Sequence, residues 1–231
     1  WIVEEINEKD SFVQFGNAER FILGEERLVS VTKEALFKRQ IEETIRAHIE
    51  KQGLLRPYGI KVLSLFFIDR VANYVGDGAL IKRLFDEAFE RLKRSLPEFA
   101  GLSAAQVREG YFAKKKATKT EAEAFVDDPP DEDAEKAAYE LIMKQKERLL
   151  SFEEPVAFIF AHSALREGWD NPNVFQICAL REIVSENQRR QTIGRGLRLP
   201  VNQDGRRFDD RSLNTLTVIA NESYANYVER L

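Results

Sequence analysis

Two arginines three residues apart, Arg195 and Arg198, lie in the stretch QRRQTIGRGLRLP (188–200), and Gln191 stands four positions before the first of them. In a helical turn that spacing brings the three side chains to one side. Two guanidinium groups converging on one point make a strong anion site, because each keeps its charge and grips phosphate oxygens in a bidentate fork. Set against the γ-phosphate of a nucleotide, such an arginine stabilises the charge of phosphoryl transfer and is worth about 10³–10⁵ in rate. The plainer reading of the same residues is a solvated basic helix end, favourable to the helix dipole.

A second segment, HSALREGWDNPNV (162–174), follows directly on the apolar run VAFIF (156–160). Loops at the carboxyl ends of strands are where open α/β sheets bind ligands. Gly168 allows close backbone approach, and Asp170 offers a carboxylate to a hydroxyl such as that of a ribose. Asn171-Pro172-Asn173 then turns the chain into the next apolar run. The alternative is a well-formed connection whose Asp and Asn cap turns.

These segments must be positioned by the elements around them. KVLSLFFID (61–69) is an apolar run without alternation, as in a strand buried on both faces of a parallel sheet; VAFIF and VFQICAL (174–180) read as two more buried strands and LNTLTVIA (213–220) as a fourth strand. Between them run helical periodicities. Phe37, Ile41, Ile45 and Ile49 recur every four residues after an N-cap at Thr32, and Gly53 and Pro57 end that helix. Ile81, Leu84, Phe85, Ala88 and Leu92 form a second stripe, stopped by Pro97. Ala134, Ala137, Ala138, Leu141, Ile142 and Leu149 form a third, and Ser185 to Gly194 reads as a fourth helix. Strands alternating with helices predict an α/β domain with a largely parallel sheet over residues 31–231. Residues 1–30 read as a connecting segment with short strands. Residues 113–135, with Lys114-Lys115-Lys116 followed by DDPPDED, read as a mobile insertion.

Composition narrows the function. With 231 residues, 43% hydrophobic and 32% charged, the chain can bury a real core. It has no apolar run long enough for a membrane span and no leader, so no membrane is expected. One cysteine, Cys178, excludes an internal disulfide and reads as a core residue; with two histidines it also argues against a metal site. The net charge of −4 excludes a wholly basic nucleic-acid clamp, yet residues 181–211 carry eight arginines against five acids, a local basic face. Opening at Trp1 without Met, the chain reads as part of a longer protein.

HSALREGWDNPNV resembles motif V of superfamily 2 helicases, and QTIGRGLR resembles their motif VI, Q-x-x-G-R-x-x-R. Asp69-Arg70 falls where motif IV is expected. More narrowly, LFFIDRVANY, LLSFEEPVAFIF, SALREGWDNPNVFQIC and RRQTIGRGLRLPVNQDGRR resemble the restriction (Res) subunit of type III restriction–modification enzymes, over roughly residues 30–220. The resemblance implies the second of two RecA-like motor lobes. Arg195 and Arg198 would reach ATP phosphates across a cleft, Arg198 being the better finger, and Gln191 would order that site. Gly168 and Asp170 would couple nucleotide to DNA, with Ser163, Ala164 and Leu165 near the DNA backbone. ATP with Mg2+ would be bound mainly by a first lobe. The implied partners are duplex DNA, that first lobe and a nuclease domain of the same chain, and a separate modification (methyltransferase) subunit, in a bacterial cytoplasm. One departure is His162, which stands where many helicases carry a threonine; a local structural role is the reading for it.

No G-x-x-x-x-G-K-[ST] occurs, and VGDGALIK lacks its spacing, so this chain is expected to supply only one wall of a nucleotide cleft and to be inactive alone. Competing readings are a lobe of another superfamily 2 helicase or repair translocase, and a non-catalytic doubly wound binding module.

Overall fold

The computed structural model describes residues 3–7, 12–15, 20–22, 33–76, 78–112, 132–162, 169, 171–181, 186–196 and 198–220, with side chains from residue 33 onward except at 132–135 and 186–189. Residues 1–36 and 37–231 form two compact units. The first contains β1 (Val3–Asn7), β2 (Phe12–Phe15) and β3 (Arg20–Ile22), an antiparallel meander in that order.

Helix α1 (Lys33–Leu55) buries the predicted stripe Phe37, Ile41 and Ile45, with Ile49 packed partly against the core. It runs through Gly53 and ends where a 3-10 turn begins at Arg56. Pro57 lacks an N–H to continue the ladder, and Gly59 reverses the chain at a φ of 68° that a side chain would oppose.

The second unit is organised by five strands, β4 (Leu63–Ile68), β5 (Arg108–Tyr111), β6 (Phe158–Ala161), β7 (Val174–Leu180) and β8 (Thr217–Ile219), all parallel in the order β5-β6-β4-β7-β8. The α/β expectation therefore stands. β4 is central and all six of its residues are buried, as are all seven of β7. On one face Phe66, Ile68, Phe158, Phe160, Cys178 and Leu180 pack under α1 and α2 (Leu80–Leu92). The Phe66 and Phe160 rings stack at 4.5 Å. On the other face Leu65, Phe67, Ile159 and Ile177 pack against Leu141, Ile142 and Leu149. Those three come from a helical stretch made of α4 (Glu132–Tyr139), a π turn at Glu140–Lys144 and α5 (Lys146–Leu150).

Three features differ from the sequence reading. The short helix α3 (Ala104–Val107), started by a Ser103/Gln106 capping box, and β5 after it were not anticipated. REGY carries no apolar run because β5 is an edge strand, held by backbone pairing to β6 alone. The third helical stripe is not one helix: the π turn interrupts it, with Gln145 N donating to Glu140 O at 2.8 Å. Residues 132–135 of the anticipated loop are the first turn of α4; the rest of that loop, 113–131, lies outside the described residues. So does the stretch from 221 to the end.

The core contains ionisable groups whose burial disfavours their charged forms. Burial pushes the Cys178 thiol up to about 12. His48, fully buried, is pushed down to about 3 by burial and by the charge of Lys61. Lys61 is itself pushed down to about 7 by burial, against the opposing pull of Glu154, and donates to the carbonyls of Leu149 (2.9 Å) and Glu154. Among the described residues no helix is long and apolar enough to cross a membrane.

Candidate functional site

The carboxyl ends of β4, β6 and β7 lie side by side in the middle of the sheet, and the sequence-predicted site residues follow β6 and β7. β4 is followed by Asp69, whose carboxylate accepts from the Arg70 backbone N–H at 2.8 Å and from the Asn73 amide at 2.7 Å. β6 ends at His162, whose Nε2 donates to the Asp69 carbonyl at 3.0 Å. After β7, Arg181 donates through Nη1 to the His162 carbonyl at 2.7 Å, with its guanidinium 5.6 Å above the Phe67 ring.

Beyond His162, Trp169 is buried at 3% exposure, and its indole N–H donates to the Ile142 carbonyl at 2.8 Å, on the π turn. The Trp169 carbonyl in turn accepts from Nη1 of Arg195. Arg195 is thus half-buried and tied by a charge-assisted bond to the middle of the 162–174 segment. Asn173 closes that segment. Its amide donates to the Val201 carbonyl and its Oδ1 accepts from Val201 N–H, both at 2.8 Å, while its own carbonyl accepts from Leu63 N–H at 2.8 Å. One fully buried asparagine therefore joins the entry of β4, the entry of β7 and the stretch after Arg198.

Helix α6 (Glu186–Ile193) carries Gln191, exposed, in its last turn. Arg195 and Arg198 lie beyond its end, so the picture of both on one helical face is corrected. Gly194 N donates to Arg190 O, and then the ladder tightens, with Arg195 N reaching Thr192 O at 3.3 Å and Gly196 N reaching Ile193 O at 3.0 Å. The chain leaves the helix because Gly196 is pressed against the entry of β7. A Cβ there would overlap the Leu216 side chain and stand 3.1 Å from the Val174 carbonyl oxygen. Gly196→Ala is expected to destabilise the fold by roughly 1–3 kcal/mol, the scale of overpacking. Chemical denaturation checks this; an unchanged midpoint would show that the turn tolerates the methyl.

Arg198 is exposed. Ser163, Ala164, Leu165, Gly168 and Asp170 lie outside the described residues. Two contributors were not singled out from sequence. Asn173 was read as a turn residue and Arg181 as one charge in a basic run; both act on backbone groups, which residue types do not reveal.

A central parallel sheet with helices on both faces and its loops at the carboxyl ends of β4, β6 and β7 is a RecA-like α/β arrangement, consistent with a helicase lobe. No protein-family model matches the chain. It is 38% identical over 194 residues to the type III restriction-modification enzyme EcoPI Res subunit of Escherichia phage P1, covering 78% of this chain and 19% of that protein. It is 36% identical over 196 residues to the EcoP15I Res subunit of Escherichia coli, with the same coverage of each. The StyLTI Res subunit of Salmonella typhimurium is 38% identical over 177 residues, 64% of this chain and 17% of that protein. Over that stretch the chain is similar to the Res subunits of type III restriction–modification enzymes. It spans about a fifth of the length of the curated relatives it matches.

Proposed function

We propose that this segment is the second motor lobe of an ATP-driven DNA translocase in a type III restriction enzyme. The observation that carries the reading is the bond from Arg195 to the Trp169 carbonyl, which joins the two predicted site segments at the carboxyl end of the sheet. The identity to Res subunits supports it. The donor set fits one wall of a polyphosphate site, with two guanidiniums in one short turn. In this reading Mg2+ is held mainly by the first lobe.

In this reading Arg198, exposed, reaches the terminal phosphate, and Arg195 links that turn to the 162–174 segment. Gln191 orders the nucleotide side, Gly168 and Asp170 couple it to DNA, and Ser163, Ala164 and Leu165 meet the DNA backbone. ATP supplies the phosphoanhydride whose cleavage drives movement. Binding to duplex DNA is through phosphates, without reading sequence; target recognition rests with a modification subunit and cutting with a nuclease domain of the same chain.

The test is DNA-stimulated ATP hydrolysis by the full-length protein with Arg195 and Arg198 both replaced by alanine. Turnover at the unsubstituted rate overturns the reading. A companion expectation concerns the segment by itself. It lacks a phosphate-cradling loop, so residues 1–231 alone, with ATP, Mg2+ and duplex DNA, should show no turnover above background in a steady-state phosphate-release assay. Sustained hydrolysis by the isolated segment would mean that it holds a complete nucleotide site.

A further inference from the structure

We infer that His162 and Arg181 form a clasp that positions the DNA-coupling segment following β6, a role that rests on the motor reading above. The residue where that segment leaves the sheet is held from both sides. Its imidazole donates to the carbonyl of Asp69 at the end of β4, on one neighbouring strand's line. Its own carbonyl accepts from Arg181 at the end of β7, at 2.7 Å. Three consecutive strands of the sheet, β6, β4 and β7, are thus linked beyond the point where their ladders stop.

The two holding groups are themselves fixed. Asp69 is tied to Arg70 N–H and Asn73 through its carboxylate, which sets the orientation of the turn that offers its carbonyl. Arg181 lies over the Phe67 ring, which is buried in β4. The attraction of the charged guanidinium to the ring face favours the rotamer that presents its N–H groups to the carbonyl. A threonine at position 162 could offer a hydroxyl outward. The histidine spends its N–H inward on the scaffold instead. The orientation of the backbone at residue 162 is therefore set by the ends of the neighbouring strands, and nothing here requires residue 162 to touch DNA.

His162 and Arg181 are positioning residues. Removing either leaves the phosphate-facing arginines in place but loosens the segment that reports DNA to them. Misplacement of a coupling element by about 1 Å is enough for large losses, so the ratio of DNA-stimulated to DNA-free turnover is expected to fall about tenfold in R181M and in H162A. The DNA concentration for half-maximal stimulation should rise, while the KM for ATP moves much less. R181K, which keeps one donor for the His162 carbonyl, and H162Q, which keeps an N–H for the Asp69 carbonyl, should recover part of the ratio.

The experiment measures that ratio in the full-length protein for these four variants, with R195A/R198A alongside and thermal unfolding to verify folding. A fall in R181M and H162A with recovery in R181K and H162Q supports the clasp. A full ratio in R181M and H162A, while R195A/R198A is inactive, overturns the clasp and leaves the motor reading standing. Full turnover in R195A/R198A overturns the motor reading and the clasp with it.

Discussion

Full-length protein with Arg195 and Arg198 both replaced by alanine is expected to hydrolyse ATP at least about 10²-fold more slowly in the presence of duplex DNA, from the scale of arginine stabilisation in phosphoryl transfer. The two single variants should differ in kind. Arg198 is exposed, so R198A should lower turnover while leaving the unfolding transition where it was. Arg195 is half-buried and holds the Trp169 carbonyl. R195A therefore removes a charge proposed to act on the nucleotide and leaves a carbonyl beside a buried indole without its charged partner, so activity and stability should fall together. R198K should not restore the rate, because an ammonium is a point charge and cannot reproduce the fork. The losses in R195A and R198A should not multiply in the double variant, since both residues belong to one short turn. Steady-state phosphate release with and without DNA measures all four. R198A and the double variant turning over like the parent would exclude a shared nucleotide cleft.

The elements that this argument needs were legible where burial acts on both faces of an element. VFQICAL reads as a strand and is one from its first residue to its last, because a parallel sheet covered on both sides demands a near-continuous apolar run. α2 was equally plain, its stripe of Ile81, Leu84, Phe85, Ala88 and Leu92 all buried. β5 was not legible, since an edge strand of Arg, Glu, Gly and Tyr is defined by its pairing with β6 and not by its side chains. Gly110 belongs to that strand for a tertiary reason, as a Cβ there would stand 2.8 Å from the Tyr74 ring. The π turn escaped because helical periodicity passes through it almost unchanged, and its use, an accepting carbonyl for Trp169, is a backbone matter.

The candidate site divides in the same way. Charge and spacing flagged Arg195, Arg198 and Gln191, but which arginine is tied down and which is exposed depended on where α6 ends. That end is set by Gly196 against Val174 and Leu216, a contact with no trace in the local pattern. The ties made by Asn173 and Arg181 run to backbone groups 28 and 19 residues away in sequence. Residue types advertise what a side chain can do, and only the fold says to which carbonyl it does it.

A second large effect is expected from the buried histidine. Ser64 has one hydroxyl proton and donates it to Gln176 Oε1 at 2.9 Å, so the 2.8 Å contact between His48 Nδ1 and Ser64 Oγ must have the imidazole as donor. The proton of the neutral imidazole is therefore on Nδ1. Its Nε2 has no hydrogen-bond partner, and the ring packs in a cluster with two others, centroids 4.3 Å from Phe158 and 5.6 Å from Phe99. Adding a proton to Nε2 would place a charge in that buried cluster, in the field of Lys61, which is why the group is held down to about 3 instead of its ordinary 6.5. The sign follows from proton linkage. Between those two values the unfolded chain binds the proton and the folded chain does not, so stability present above pH 6.5 is lost as the pH falls toward 3. Each unit of pH in that window costs about 1.4 kcal/mol, so by pH 4.5 the loss through this one residue is about 3 kcal/mol, roughly a hundredfold in the folding equilibrium. Lys61 acts in a separate window, from about 7 up to its ordinary 10.5, and does not blur the measurement below pH 6.5. His48→Asn keeps an amide N–H near the position of Nδ1 and removes the titration. It should be less stable than the parent at pH 7, having lost its ring contacts, yet its stability should fall less on acidification. Denaturant unfolding of both proteins at pH 7, 5.5 and 4.5 decides the matter: curves that converge as the pH drops are the expected result, and parallel curves would mean that His48 takes up its proton in the folded state.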